Sequence, residues 1–433
     1  KDGFVEKDKR GKHLNHKKLD SDIKNGVRAH INSIPRIESH YLRSQTTREF
    51  IDGGKSLAHI HRDYVNLCKQ NNLPFAKIDI YSRIFNREFN ISFFIPKKDQ
   101  CSHCEAYKNA DEVQKVMLDE NYQLHLHEKE LSRIEKTKDK IFASNTSNQT
   151  TVLCYDLQAV LPTPRGEVSV FYYKSKLSTF NFTISNIVKS STYCYVWHEG
   201  EAHRGVNEIG SCVLRYLSTE CDDQNVIFYS DNCAGQNKNK FMISLYLYAI
   251  AKLNIISITH KFLVVGHTQN EWDSAHSVIE KQIKKSLKSG PIYIPSQYVT
   301  LIQIAKKTGT PFTVEQLSSE DIYDIKDISK NIGDNYTLNT NGEKVYWNNI
   351  RIVKVEKCNP GIIFYKNTYK NDEFMKINVN MKKKGRRSSG IPYNIKLSYA
   401  EKPKITENKK RDLLSLCDSN HIPKVYHSFY KNL

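Results

Sequence analysis

Long apolar runs, a regular cysteine framework and repeats are missing from this sequence. No apolar run reaches the length of a bilayer-spanning helix and no secretory signal peptide is visible, so we expect no membrane partner. The ten cysteines follow no regular spacing, and only Cys101 and Cys104 are close together. This pattern favours a reducing compartment over a secreted disulfide scaffold. No internal repeat or extended low-complexity tract is present.

Acidic residues are scarce relative to basic ones. The chain has 65 Lys and Arg against 47 Asp and Glu, which gives a net charge of +18 and a pI near 9.2. An excess of this size on a large protein indicates a polyanionic partner, and nucleic acid is the commonest one. With 433 residues, the chain is long enough for several domains and a large core.

The stretch 224–288 organises the rest of the chain. Residues 224–231 are an apolar strand pattern that ends in Asp231, and a polar turn separates it from an apolar helix over 241–253. A second strand, 255–265, precedes a helix that carries Glu271 and Asp273. Upstream, the sequence predicts strands at 151–156, 168–174, 180–187 and 192–198, and a helix at 201–217. Strands that end in carboxylates and alternate with helices predict an α/β fold with its chemistry at the sheet edge.

A Cys-x-x-Cys pair predicts a structural zinc site. Cys101 and Cys104 have the spacing with which two thiolates bind one Zn²⁺, and His125 and His127 follow on a helical pattern. Residues two apart on a helix point about 200° apart, so these two histidines are poorly placed to bind the same ion. A ligand from elsewhere is therefore left open, with three candidates: His13, His16 and His198. The alternative is a pair of reduced cysteines in a turn.

The order of acids along these elements resembles the RNase H-like superfamily, which includes ribonuclease H, retroviral integrases and DDE transposases. The first strand ends in Asp156, a later strand ends in Asp231, and Asp273 opens the last helix. Gly266-His267, followed by Asn-Glu and a helical Asp, is similar to the ribonuclease H ending. Longer phrases resemble an uncharacterised family of transposon-derived proteins found in insect and other animal genomes. These are Asn-Ile-Ser-Phe-Phe-Ile-Pro-Lys-Lys-Asp-Gln-Cys-Ser-His-Cys, Asp-Leu-Gln-Ala-Val-Leu-Pro, Ser-Asp-Asn-Cys-Ala-Gly-Gln-Asn-Lys-Asn and Gly-His-Thr-Gln-Asn-Glu-Trp-Asp-Ser-Ala-His.

The resemblance implies a DDE-type transposase, or a domesticated descendant of one. Two divalent ions, Mg²⁺ or Mn²⁺, would be held by carboxylates, with Asp156 bridging both and Asp231 and Asp273 holding one each. The alternative for Asp156 and Asp231 is a turn-capping role after a strand. Glu271 and then Glu280 are the next candidates for the third acid. Trp272 replaces the small residue that the resemblance implies, and we expect its ring to crowd the site.

Polar residues near these acids are candidate supporting groups. His267 can orient a water or a phosphate, or can cap the strand end, and His276 and Glu280 share the helix face of Asp273. The amides after Asp231 can hold phosphate oxygens or second-shell water, or can cap the following helix; they belong to Asn232, Gln236 and Asn237.

Two basic stretches are candidate DNA contacts. The last core helix has a lysine stripe opposite its apolar face, formed by Lys281, Lys284, Lys285 and Lys288. A later run is a DNA-contacting loop, a nuclear localisation signal or a solvated tail, and it comprises Lys382, Lys383, Lys384, Arg386 and Arg387. The expected partners are transposon ends and target DNA, the expected location is the nucleus, and the resemblance implies a homo-oligomer.

The expected fold is therefore α/β, an RNase H-like core with a mixed sheet flanked by helices. We predict four regions: a basic helical domain over 1–98, a zinc-binding helical segment over 99–145, the catalytic core over 146–290 and a small basic β-rich domain with a terminal helix over 291–433. Two rival functions stay open. One is a nuclease that acts on other nucleic acids, and the other is a DNA-binding protein that has lost catalysis.

Overall fold

The structure is a computed structural model that describes residues 20–34, 36, 48–52, 56–94, 101–267, 271–370, 373–380 and 394–433. Two compact units are present, with the division between Asp99 and Gln100. Each unit is described by itself below. The basic run over 382–387 and two of the candidate zinc ligands, His13 and His16, lie outside the described residues.

The first unit combines helices with a short parallel strand pair. Its described elements are α1 Ser21–Ser33, β1 Glu49–Asp52, α2 Leu57–Gln70, α3 Ile78–Glu88 and β2 Ile91–Phe94. Asp20 begins α1 by accepting a hydrogen bond from the backbone N–H of Asp22. The apolar residues of α1 recur every four positions, and Val27 and Ile31 are fully buried against residues of α2 and α3, among them Tyr64 and Tyr81.

The second unit contains the large sheet. Its strands are β3 Thr150–Leu157, β4 Leu161–Thr163, β5 Leu177–Asn186, β6 Ser191–His198, β7 Gln224–Ser230, β8 Ile255–Phe262, β9 Thr313–Gln316, β10 Ile352–Glu356, β11 Ile362–Lys366 and β12 Met375–Asn378. Its helices are α4 Ser102–Asn109, α5 Glu112–Ser144, α6 Ser169–Tyr172, α7 Val206–Glu220, α8 Lys240–Lys252, α9 Glu271–Leu287, α10 Pro295–Gln303, α11 Ile325–Ile332, α12 Glu407–Asp418 and α13 His427–Lys431. None of the described helices has both the length and the apolar character that crossing a membrane requires.

The middle of the sheet follows the order β6-β5-β3-β7-β8. Strands β3, β7 and β8 are parallel to one another, whereas β5 is antiparallel to both β3 and β6. A mixed sheet flanked by helices is therefore confirmed.

Two helical layers cover the faces of the sheet. Side chains of β3 alternate between them, with Leu153 and Tyr155 in the main core beneath α7, α8 and α11. Val152 and Cys154 lie on the opposite face, in a cluster with Ala143 of α5 and Trp272 of α9. The following residue on this second face is Asp156, so the strand delivers its carboxylate beneath α5 and α9.

The C-terminal strands extend this sheet instead of forming a small domain of their own over 291–433. Strand β10 is antiparallel to β8, and β11 and β12 add to it in turn. On the other side, β9 pairs with β6 in parallel. The alternation of basic and apolar residues predicted these C-terminal strands, but their partner β8 is about 90 residues away, and local patterns do not specify such a pairing.

Residues 168–174 form helix α6 in their middle, so the prediction of a strand there is wrong. Phe171 is buried, whereas Tyr172 and Tyr173 are both largely exposed. One buried residue per turn suits a single helical turn better than a strand, which would bury alternate positions.

Candidate metal centre and active site

Two thiols and two imidazoles converge in the second unit. Cys101, Cys104, His125 and His267 offer ligand atoms that all lie within 4.8 Å of one another. The Nε2 atom of His125 lies 3.3 Å from Cys101 Sγ, 3.6 Å from Cys104 Sγ and 3.1 Å from His267 Nε2, and Cys104 Sγ lies 3.4 Å from His267 Nε2. Ligands of a tetrahedral Zn²⁺ with bonds of about 2.0 to 2.3 Å are separated by roughly 3.3 to 3.8 Å. The spacing therefore fits a single tetrahedral ion.

Local structure explains how the neighbouring helices α4 and α5 bring three of these residues together. Cys101 caps the start of α4, and Cys104 follows one turn later, which turns both thiols to the same side. Helix α5 packs against α4 through the stacked rings of Tyr107 and Tyr122, whose centroids are 3.8 Å apart, and so presents His125.

The electrostatic surroundings of Cys104 and His125 favour the neutral forms of these two groups. Burial and the neighbouring Cys101 thiol raise the pKa of Cys104 to about 11. Burial, together with the nearby His103 and Lys129, lowers the pKa of His125. A neutral imidazole is the form that binds a metal, and a thiol must release its proton to do so.

The structure corrects the predicted ligand set at one position. Cys101, Cys104 and His125 come together, but His127 is exposed and is not part of the group. The reason is the helical geometry of α5, in which residues two apart face different directions. His198 lies elsewhere, near Glu201 and Phe429. The fourth member of the group is His267, for which the sequence predicts a role in orienting water or phosphate, or in capping the strand end. Its signal was the Gly-His pair, but no local spacing links it to Cys101.

Asp156 and Asp231 are brought together by strand register. In the parallel β3–β7 pair, Thr150 lies opposite Asn225 and Cys154 opposite Tyr229. The same offset two residues further along sets Asp156 opposite Asp231, which directly follows β7. Neighbouring strands are about 4.8 Å apart, and residues at matching register share a face. The two acids therefore meet at the carboxyl edge of the sheet.

The surroundings of Asp156 disfavour its negative charge. Burial and the nearby Asp231 and Asp273 carboxylates raise the pKa of Asp156 to about 7. Asp231 has a second role that the sequence analysis allowed for, because its Oδ1 accepts bonds from Cys233 N at 3.0 Å and Asn237 Nδ2 at 2.6 Å. It thus fixes the turn that follows β7 while standing next to Asp156. A divalent cation would relieve the repulsion between the two carboxylates.

The three candidates for the third acid differ in their surroundings. Asp273 is exposed on the first turn of α9, and its charge acts on Asp156. Glu271 forms an ion pair with Lys136 of α5 at 2.5 Å. Burial opposes its ionisation, but Lys136 outweighs this effect, and the pKa of Glu271 lies below its usual range. Glu280 lies 3.7 Å from the guanidinium of Arg165 and accepts a bond from Gln158.

The acids do not gather as closely as the thiols and imidazoles. Among the described residues, Asp156, Asp231 and Asp273 do not form a second group with ligand atoms within 4.8 Å of one another. Trp272, whose ring we expect to crowd the site, has a packing role in the structure. Its side chain is 2% exposed and packs with Cys154, Tyr229 and Leu263, so the ring anchors α9 to the sheet.

Polar side chains surround the paired acids. His276 lies 3.0 Å from Thr183 Oγ1, and Thr183 pairs with Asp156 in the sheet. Burial lowers the pKa of His276 to about 4. Asp273 precedes His276 by one turn and so shares the helix face that looks toward Asp156.

The turn after Asp231 contributes amides and a buried lysine. Lys238 Nζ donates to Asn232 Oδ1 at 3.1 Å and to the carbonyl of Asn348. Burial and the neighbouring Arg351 lower the pKa of Lys238 to about 7. Asn237 is buried, and its Oδ1 has no hydrogen-bond partner in the part of the chain that the structure describes. Gln236 is half-buried in the same turn.

The lysine stripe of α9 lies on the surface. Its four members, Lys281, Lys284, Lys285 and Lys288, are all exposed, while Ile279 and Ile283 on the other side of the helix are fully buried.

The chain has one partial match to a protein family. Residues 175–359, less than half of the chain, match the model of a domain of unknown function, DUF7869. No curated protein matches the chain.

Proposed function

We propose that residues 146–290 form an RNase H-like core that cuts and joins DNA phosphodiesters, as a DDE-type transposase or a domesticated derivative. The alignment of Asp156 with Asp231 is the observation that carries this proposal. Two acids 75 residues apart in sequence have matching positions on neighbouring parallel strands. A role in capping turns does not require the two aspartates to share a register, whereas the shared register brings their carboxylates close enough to hold metal ions together.

The order of elements supports the same proposal. Strands β3, β5 and β6 precede helix α7, and then β7, α8, β8 and α9 follow. This is the order on which the resemblance to the RNase H-like superfamily rests, with the short elements β4 and α6 inserted after β3. Asp273 on the first turn of α9 acts electrostatically on Asp156, as a third ligand of the same site would.

Two divalent ions, Mg²⁺ or Mn²⁺, are the cofactors that we propose for this edge. Carboxylate oxygens are the ligands that both ions prefer. When bound, the two metal ions would activate a water and stabilise the leaving oxygen of an in-line displacement. Asp156 and Asp231 would hold the ions, and the half-buried turn with Asn232 and Asn237 would orient water or phosphate oxygens. A structural Zn²⁺ in the same unit is the third proposed ion.

The basic surface supports DNA as the partner. The exposed lysines of α9 begin two turns after Asp273, so they can bind phosphates that lead away from the acids. Action on transposon ends and target DNA, assembly as a homo-oligomer and location in the nucleus are parts of the same proposal.

A protein that binds DNA but has lost catalysis is the second candidate. Two observations favour it. Glu271 and Glu280 both form ion pairs with basic side chains, and the three aspartates lie farther apart than metal ligands usually do. A plain nuclease that acts on other nucleic acids is the third, and its products would differ.

Cleavage of DNA that carries the terminal repeats of the proposed transposon tests the proposal. The wild type is compared with Asp231→Asn in Mg²⁺ and in Mn²⁺, and Asp222→Asn, an exposed acid before the other end of β7, is the control with the same change of charge. We expect cleavage by the wild type and the control, and none by Asp231→Asn. Strand-transfer products identify a transposase, and cleavage without them identifies a nuclease. Equal products from all three proteins would remove the carboxylate site.

A further inference from the structure

Helix α5 holds both ends of the segment that leads into α9. On one side, His125 lies next to His267, with their Nε2 atoms 3.1 Å apart. On the other side, Lys136 binds Glu271, the first residue of α9, at 2.5 Å. His125 and Lys136 are three helical turns apart, or about 16 Å along α5. One helix therefore contacts both His267, which precedes α9, and Glu271, which begins α9.

Gly266 explains why the chain can reach the cysteines at this position. Its φ is +77°, and a Cβ atom there would lie 2.5 Å from both Cα and Cβ of Cys101. A larger residue would suffer from the left-handed conformation and from the collision with Cys101. The backbone of this loop is therefore pressed against α4, and the next residue, His267, enters the group of ligands. The close approach to Cys101 accounts for the glycine of the Gly-His pair, and the group of ligands accounts for its histidine.

The four ligands form a closed site. Two thiolates and two imidazoles satisfy tetrahedral Zn²⁺ completely and leave no position for substrate water, which distinguishes a structural ion from a catalytic one. Binding exchanges two thiol protons for one Zn²⁺, and the protons leave to solvent. The soft sulfur ligands favour zinc over the Mg²⁺ that the carboxylate edge would take.

We propose that Cys101, Cys104, His125 and His267 bind one Zn²⁺ that fastens the loop before α9 to α4 and α5, and so positions Asp273 over Asp156 and Asp231. The zinc site stands on its own geometry, and only its positioning of a catalytic residue rests on the proposed function. Zinc is then a positioning cofactor of the carboxylate edge. His267 acts through the ion and is a positioning residue.

The first test identifies the ligands. The full chain is prepared with zinc and with cobalt, and bound metal is measured together with the visible spectrum of the cobalt form. We expect about one ion per chain and the thiolate-to-cobalt and tetrahedral bands of a two-sulfur, two-nitrogen site. His267→Asn should weaken zinc binding by at least about a hundredfold. His127→Asn, on the same helix as His125 but exposed, should bind zinc as the wild type does.

Two results would overturn this ligand set. One is a wild-type protein that binds no tetrahedral ion when its cysteines are reduced. The other is loss of zinc binding in His127→Asn with retention in His267→Asn. Circular dichroism of each variant separates a lost ligand from a misfolded chain, and wild-type protein stripped with a chelator and then reloaded serves where a variant fails to fold.

The second test measures positioning without using activity. Hydrogen exchange is followed at the amides of residues 271–276 and, as an internal reference, of β3 and β7. Removal of zinc, or His267→Asn, should accelerate exchange at the start of α9 by about tenfold or more and leave the strands unchanged. Unchanged exchange in α9 would refute the positioning role and leave the zinc site intact. Because neither measurement depends on cleavage, an inactive protein would fail the proposed function and leave this inference standing.

Discussion

The two groups of candidate metal ligands differ in how far their side chains have gathered. The thiols and imidazoles of the proposed zinc site have ligand atoms within 4.8 Å of one another, whereas the three aspartates at the sheet edge do not form such a group among the described residues. Neutral thiols and imidazoles can hydrogen-bond to one another, so their cluster is favourable even before an ion binds. Carboxylates repel, and this repulsion, with burial, raises the pKa of Asp156.

The comparison teaches how each kind of site is recognised. A cluster of neutral ligands is visible as short distances between side chains. A cluster of acids is visible in the register of its strands and in the electrostatic effect of one acid on another. The two sites should also respond oppositely when a ligand is removed, and the four predictions below, ordered by the size of the expected effect, test this contrast.

Neutralising Asp156 should abolish activity and yet stabilise the fold. We expect Asp156→Asn to reduce the rate of DNA cleavage by roughly a thousandfold or more, which is about 4 kcal/mol of transition-state stabilisation. Without added Mg²⁺, the same variant should unfold at a higher urea concentration, with a gain of about 1 kcal/mol, because a buried carboxylate beside like charges is removed. A marked loss of stability would show that Asp156 is a structural residue of the edge.

Replacing a zinc ligand should have the opposite effect on stability. We expect Cys104→Ser to lower the free energy of unfolding by about 3 kcal/mol or more, because the free energy of zinc binding is lost from the folded state. Cys358→Ser, which changes an exposed cysteine, should differ from the wild type by less than about 0.5 kcal/mol. Urea unfolding in zinc-containing buffer measures both variants, and equal stability would contradict the zinc site.

The third largest effect is expected from the ion pairs between α5 and the sheet, which contribute to the free energy of unfolding. Lys261 of β8 is nearly buried, and its Nζ lies 2.7 Å from both Glu135 and Asp139 of α5. Burial nevertheless keeps the pKa of Asp139 raised, so the cation only partly offsets the cost of this charge. Lys261→Met should destabilise the protein by about 2 to 3 kcal/mol, since it leaves Asp139 without its cation.

Two further variants sharpen this third prediction. The double variant Lys261→Met with Asp139→Asn should recover part of the lost stability, because it removes the uncompensated charge. Lys138→Met, at an exposed position of the same helix, should have an effect below about 0.5 kcal/mol. If the double variant is no more stable than Lys261→Met, the loss comes from packing and not from charge.

The smallest effect belongs to a single lysine of the α9 stripe. Lys284→Gln should weaken DNA binding a few-fold at low salt and should reduce the slope of log K against log salt by about one. Stability should not change, because the side chain is exposed. Binding titrations at several salt concentrations give the slope, and an unchanged slope would remove Lys284 from the phosphate contacts.

The sequence predicts those parts of the molecule that local chemistry determines. Apolar runs that end in Asp156 and Asp231 correspond to β3 and β7, and the stripe of Ile279 and Ile283 corresponds to the buried face of α9. These features follow from hydrophobic periodicity over a few residues. The grouping of the Cys-x-x-Cys pair with His125 can also be predicted from the sequence, because α4 and α5 are neighbours in the chain.

What the sequence could not provide depends on contacts between distant segments. His267 is 163 residues from Cys104, and no spacing rule connects a residue after β8 with the first turn of α4. The helix over 112–144 is charged along much of its length, a pattern that favours exposure to solvent on all sides. In the structure, Lys136 and Asp139 contact the sheet and α9, because their charged groups have partners there.

The matched positions of Asp156 and Asp231 set a limit on how this chain can change. Loops and helices between β3 and β7 can lengthen or shorten freely, because the ladder between the strands fixes the distance that matters. A single residue deleted inside β7 would be different. It would turn Asp231 toward the apolar layer beneath α7 and α8 and present Asn232 in its place. The pairing of the two acids therefore tolerates insertions of many residues between the strands, but not the insertion or deletion of one residue within a strand.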